Sequence, residues 1–152
     1  MPKITPFLWF NNNAEDAANF YVSVFKNSKI LNVMRYGDAG PGPKGAVMLV
    51  NFELDGGAFT ALNGNVEFPF THAVSLVVHC DDQAEIDHYW QALTADGGSE
   101  VACGWLKDKF GFSWQITPKN IGELIRTPAQ MQAMMTMKKL DIAALEAAGA
   151  SH

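Results

Sequence analysis

Long apolar runs, clustered cations and paired cysteines are all scarce in this 152-residue chain, and each scarcity removes a class of function. No stretch approaches the roughly eighteen apolar residues of a membrane-spanning helix, and the opening MPKITPFLWF is too short an apolar run for a signal peptide. A cytoplasmic protein without membrane contact is expected. The 11 basic residues are outnumbered by 16 acidic ones and cluster only at Lys138–Lys139. Displacing phosphate counterions takes grouped cations, so no nucleic-acid partner is expected. Cys80 and Cys103 lack CxxC spacing and read as reduced thiols. At 48% hydrophobic and 18% charged residues the composition is globular, and the length suits one domain.

What the chain does contain is a repeated pattern. ITPFLWF (4–10) is aromatic and apolar, stops at Asn11–Asn13, and reads as a strand. From Ala14 the run AEDAANFYVSVF sets Ala18, Tyr21 and Phe25 at i, i+3 and i+7, with Asn13 as N-cap. This predicts an amphipathic helix of about three turns. SKILNVMRY (28–36), AVMLVNFEL (46–54) and AFTALNG (58–64) read as three strands, separated by the Gly/Pro loop 37–45 and the tight turn Asp55-Gly56-Gly57.

After Pro69 the order restarts. AVSLVVHC (73–80) is a strand, DQAEIDHYWQALTADGG a helix closed by Gly97–Gly98, and SEVAC (99–103), GWLKD (104–108) and FSWQITP (112–118) are short strands. Ile86, Tyr89 and Leu93 repeat the helical spacing 68 positions beyond Ala18, Tyr21 and Phe25. Core packing alone produces two such helices readily, but ten elements in matching order favour an internal duplication. The tail has Thr127 as a cap, Pro128 at the first helical position, a Met-rich helix, and a short helix capped by Asp141 and stopped by Gly149.

The repeated unit resembles the βαβββ module of the vicinal oxygen chelate superfamily, which includes glyoxalase I, bleomycin-resistance proteins and dioxygenases. ITPFLWF, AANFYVSVF, ALNG, CGWLKDKFGFSWQITP and MMTMKKLDIAALEAA more narrowly resemble its PhnB-like branch, whose members often carry the label 3-demethylubiquinone-9 3-methyltransferase. The resemblance implies an α+β fold: two βαβββ modules, residues 1–68 and 69–126, forming a curved eight-stranded mixed sheet around a cavity, then a helical tail over 127–152. It also implies a homodimer.

Neither the label nor the superfamily's metal chemistry is supported by the residues. A SAM site of the doubly wound type needs a glycine-rich turn from a strand into a helix. The one glycine-rich loop, 37–45, leads instead into a strand pattern. The superfamily's four metal ligands fall, by module alignment, near Thr5 or Pro6 and at Ala61, Ala73 and Gln115, none of them histidine or carboxylate. His72 adjoins Ala73, but a one-residue shift in a strand changes face. No cofactor is expected, and a divalent metal with atypical ligands stays open. His79 and His88 read as partly exposed polar residues, and His152 as a disordered terminal one.

In DKFG, a turn ending at Gly111 predicts a type I turn with a glycine bulge. Trp105 and Lys107 then share a face with Ser113 and Gln115, while Phe112, Trp114 and Ile116 point the other way. An indole, an ammonium, a hydroxyl and an amide suit recognition of a small polar or anionic molecule. The plainer alternative has Trp105 filling the sheet's hollow and Lys107 reaching solvent. Trp9 and Asn63 are further cavity candidates by analogy with where the family's sites lie, although Asn63 also suits the turn before Gly64. Cys103 reads as a buried thiol rather than a nucleophile. Met131, Met134, Met135 and Met137 suit packing or dimer contact. No residue is assigned a catalytic role. Binding of a small molecule leads, a metal-dependent lyase, isomerase or dioxygenase is the alternative, and a dimeric interaction module the third reading.

Overall fold

In the first unit of the computed structural model, Met1–Pro69, strands alternate covered and open side chains beneath a single helix. Residues 3–150 are described, so His152 lies outside them. The elements are β1 (Phe7–Phe10), α1 (Ala14–Val24), β2 (Lys29–Arg35), β3 (Val47–Leu54) and β4 (Gly57–Asn63). Their sheet order is β1-β4-β3-β2, with β1 parallel to β4 and the other pairs antiparallel. The first strand is shorter than 4–10 predicts: Pro6 has no N–H to give a ladder, although its carbonyl accepts from Thr60 N–H.

Pairing of Leu8 with Ala61 and of Ala61 with Val50 puts these side chains on the helix-covered face. Ala14, Ala17 and Ala18 are fully buried, so α1 lies close to the sheet, and Tyr21 stacks on Phe52 at 6.4 Å. Covering a large side chain such as Phe52 contributes about 1.5–3 kcal/mol. On the opposite, open face, Thr60 Oγ1 donates to Asn51 Oδ1 (2.6 Å) and Asn51 Nδ2 to Asn32 Oδ1 (2.8 Å), a polar ladder across three strands.

The second unit, Phe70–His152, repeats the plan with β5 (Ser75–Cys80), α2 (Gln83–Thr94), β6 (Ser99–Glu100), β7 (Trp105–Lys107) and β8 (Ser113–Pro118). Its order, β5-β8-β7-β6, is the first sheet's order shifted by one module, with β5 parallel to β8. The chain is thus α+β, with two βαβββ modules each closing a four-stranded mixed sheet. Ile86, Tyr89, Trp90 and Leu93 are the buried residues of α2, and its N-cap Asp82 accepts Glu85 N–H at 2.9 Å. His79 and His88 are exposed, on β5 and α2. The strand expected over 99–103 is only two residues long, because Ala102–Trp105 forms a tight turn.

Three helices follow: α3 (Ile121–Leu124), which the sequence did not suggest, α4 (Pro128–Met135) and α5 (Ile142–Ala150). Thr127 and Gln130 cap α4 reciprocally, with Pro128 in its first turn. Asp141 caps α5 through Ala144 N–H, but Gly149 does not stop that helix. A Cβ there would lie 2.4 Å from Gln130 Nε2, so this glycine serves the close approach of α5 to α4. Leu140 and Leu145 are buried in the second unit, whereas Met131 and Met135 are exposed.

Cys80 ends β5 and is fully buried. Desolvation, then the carboxylates of Glu85, Asp81 and Asp82, push its thiol up to about 12. At pH 8 roughly one such thiol in ten thousand is ionised. Iodoacetamide at that pH should therefore alkylate half-buried Cys103 in the native protein and reach Cys80 only in denaturant; native labelling of both would overturn the assignment. The same shift makes alkali destabilising. The unfolded thiol ionises from its ordinary 9.0 while the folded one does not, so this contribution is intact below pH 9 and lost towards 12. In Cys80→Ala, urea midpoints should fall less steeply across that window.

Candidate functional site

A buried carboxylate organises the hairpin that carries most of the candidate residues. Asp108 is 2% exposed and follows β7 directly. Its Oδ1 accepts the amides of Phe110 (2.9 Å) and Phe112 (3.0 Å), and its Oδ2 accepts Trp114 Nε1–H (2.8 Å). Asp108 N–H donates to Phe112 O, Gly111 N–H to Asp108 O, and Gly111 sits at φ +87°. The glycine-bulged turn expected at DKFG is present, and an aspartate tied to its own turn locks it. Composition gave Asp108 no role. Its spacing to Phe110, Phe112 and Trp114 within DKFGFSW was the available signal.

The locked turn sets the register: Trp105 pairs with Gln115, Leu106 with Trp114, and Lys107 with Ser113. Trp105, Lys107, Ser113 and Gln115 therefore share one face, as the alternation predicts, and β5 adds Ser75 and Val77. Phe112, Trp114 and Ile116 are buried. On the open face Ser113 Oγ lies 3.1 Å from His72 Nδ1, and the His72 ring meets Trp105 edge-on at 6.0 Å. Gln115 Nε2 donates to Ser75 Oγ at 2.9 Å. Lys107 is half-buried and has no ion-pair partner among the described residues. Ser113 and His72 have the contact of a nucleophile and its base, but Ser113 is completely buried, so an electrophile has no approach to its oxygen.

Trp9 and Asn63 belong to the first unit and to different faces of its sheet. Trp9 donates from Nε1 to Val66 O at 2.7 Å and meets Phe68 edge-on at 5.2 Å, so residues after β4 fold over it. Asn63, 8% exposed, performs the work expected of Asn13: its Oδ1 accepts Ala14 N–H at 2.9 Å, while Asn13 makes no side-chain cap. Its Nδ2 donates to Val47 O (3.1 Å), and its carbonyl accepts the hydroxyl of Tyr36 (2.8 Å). Asn63, Tyr36, Glu15 and Asp16 line a cavity of about 220 Å³ with Pro43 of the loop 37–45.

Residues 2–117 match the family described as 3-demethylubiquinone-9 3-methyltransferase. The chain belongs to that family. A solved PhnB protein from Bacillus cereus is 40% identical, with 77% of this chain and 99% of that one covered at a TM-score of 0.70. A Pseudomonas aeruginosa protein shares the fold at 20% identity, with 78% and 98% covered and a TM-score of 0.65. The fosfomycin resistance protein FosX of Mesorhizobium loti does so at 12%, with 84% and 100% covered and a TM-score of 0.55. These matches set the chain in the PhnB-like branch of the vicinal oxygen chelate superfamily. No protein of curated function matches it.

The positions that the resemblance offers for a metal carry side chains, two methyls and an amide, that do not fit an ion. Ala61 is a buried methyl facing Val50 and Leu8, Ala73 precedes β5, and Gln115 bonds Ser75. Among the described residues no three His, Cys, Asp or Glu side chains gather as a metal-holding group. The turns from strand to helix are Asn11–Asn13, Asp81–Asp82 and Lys119–Asn120, without a glycine, and the glycine-rich loop opens onto β3.

Asp108→Ala leaves two amides and an indole unmet and should cost about 3–5 kcal/mol in urea unfolding. Asp108→Asn, which keeps Oδ1 but turns a donor towards the Trp114 indole, should cost about 1–3 kcal/mol. Wild-type stability in both would remove Asp108 from this role.

Proposed function

We propose that this PhnB-like protein binds a small polar or anionic molecule on the open face of its second sheet, without the superfamily's metal. The observation that carries the reading is Lys107, a half-buried ammonium without a counter-charge among the described residues, set beside an indole and the His72–Ser113 pair. Ionic donors in partly desolvated surroundings make the stronger hydrogen bonds to carboxylate or phosphonate oxygens. The faces of Trp105 supply apolar area, and the second hydrogen of Gln115 Nε2 supplies direction. The Ser113–His72 and Gln115–Ser75 contacts hold these groups before a ligand arrives, which lowers the ordering cost of binding.

Binding, rather than methyl transfer, fits the residues. None of the three strand-to-helix turns among the described residues carries the glycines that bring amides to a cofactor. The family likeness further supports a homodimer working in the cytoplasm, and light scattering on the purified protein tests the dimer by its mass.

Thermal-shift and NMR titrations with small carboxylates and phosphonates, benzoate and methylphosphonate among them, should find saturable binding. Lys107→Met should weaken it by at least about tenfold and Trp105→Ala by several-fold. A panel in which no compound stabilises the protein overturns the reading.

A further inference from the structure

We infer that the tail segment from Thr136 to Ile142 is a strap that positions Trp105, an inference that rests on the open face being the binding surface. The family match ends at residue 117, so the strap lies beyond it. It begins with the turn that leads into β7. Trp105 N–H donates to Ala102 O at 3.1 Å and Val101 N–H to Trp105 O at 2.9 Å, closing a two-residue turn. Both central residues are left-handed, Cys103 at φ 60° and Gly104 at φ 85°. That is the backbone a tight hairpin of this hand needs, and a conformation that a side chain such as cysteine's rarely adopts.

The two amides of that turn point away from the hairpin, and the strap receives both. Cys103 N–H donates to Met137 O and Gly104 N–H to Lys138 O, each at 2.8 Å. Gly104 O accepts Ile116 N–H at 2.8 Å, so the residue before Trp105 is tied to the tail on one side and to β8 on the other. The fit leaves no room for a side chain: a Cβ on Gly104 would lie 3.0 Å from Leu140 Cδ1 and 3.1 Å from Ile116 O.

The strap is itself clamped to α2. Gln83 Nε2 donates to Leu140 O (3.0 Å) and its Oε1 accepts Ile142 N–H (2.8 Å), so one side chain spans a two-residue step of the tail. Lys139 reaches Asp87 at 2.8 Å and Gln83 Nε2 also donates to Asp87 Oδ1 at 3.0 Å, and these two bonds hold the Asp87 carboxyl below its ordinary range. Leu140, 1% exposed, fills the space between. The order of dependence is Gln83 and Leu140, then the strap carbonyls, then Cys103–Gly104, then Trp105. Gln83 and Leu140 are positioning residues.

The test uses the full chain. In ¹⁵N-labelled protein, the Trp105 indole N–H, assigned by Trp105→Phe, should shift or broaden in Gln83→Ala and Leu140→Ala, while the Trp9 and Trp114 indoles stay. Amide exchange at Cys103 and Gly104 should accelerate together by about tenfold or more in either variant. Benzoate affinity should fall in the same two variants. A Trp105 signal unmoved in folded variants overturns the strap, and so does unprotected exchange of the Cys103 and Gly104 amides in the wild-type protein, a measurement that needs no variant to fold. Because the indole and exchange readouts need no ligand, a wild-type protein that fails to bind benzoate counts against the binding surface alone, and a moved indole with unchanged benzoate affinity counts against the strap's role in binding.

Discussion

A carboxylate taken out of water must be met by donors, and the open face of the second unit stands on one that is. Asp108 gathers two amides and an indole, and each comes from the four residues that turn β7 into β8 or from the strand that follows. The donors could not be arranged so if the turn were one residue longer or shorter. Satisfying the charge therefore fixes the loop length, the loop length fixes the register, and the register decides which side chains share a face. Trp105, Lys107, Ser113 and Gln115 meet because Asp108 is satisfied.

The two modules use one plan for different ends. Each covers one face of its sheet with a helix and leaves the other open, and each open face carries a row of polar side chains. In the first unit that row is closed on itself: Thr60 gives to Asn51 and Asn51 to Asn32, so its strongest donors and acceptors already have partners. In the second unit the row includes Lys107, whose charge nothing in the ladder answers. A neutral amide ladder ties strands together, whereas an unanswered ammonium lowers its energy when an anion arrives. One plan therefore leaves one row closed on itself and the other with a cation unanswered.

The sequence made the elements legible wherever a period ran unbroken. Ile86, Tyr89 and Leu93 mark the covered stripe of α2, and Trp105 with Gln115 share a face because period two admits no other outcome once DKFG is a turn. It was least legible where one backbone group was served from far along the chain. Asn13 occupies the cap position of α1, yet the bond comes from Asn63, and no local pattern announces a donor–acceptor pair fifty residues apart. Gly149 looks like a stop signal, and only the side chain of Gln130 beside it shows why it is glycine. The reading of 99–103 and 104–108 as strands misses the turn at Ala102–Trp105, where Cys103 takes a positive φ, and what holds it there, a pair of carbonyls from the tail, is remote as well.

Family membership and chemistry part company here for a physical reason. The module is built by the aromatic first strand, the alanine-lined helix and, in the second unit, the DKFG turn with its buried aspartate. A sheet built this way tolerates varied side chains on its open face, since it is the covered face that packs against the helix. Strand pairing and helix cover fix the closed face, and Ala61, its methyl against Val50 and Leu8, is part of it. The open face of the second unit sets the Lys107 ammonium and the Trp105 ring beside hydrogen-bonding side chains, and Ser113, in contact with His72, is completely buried there.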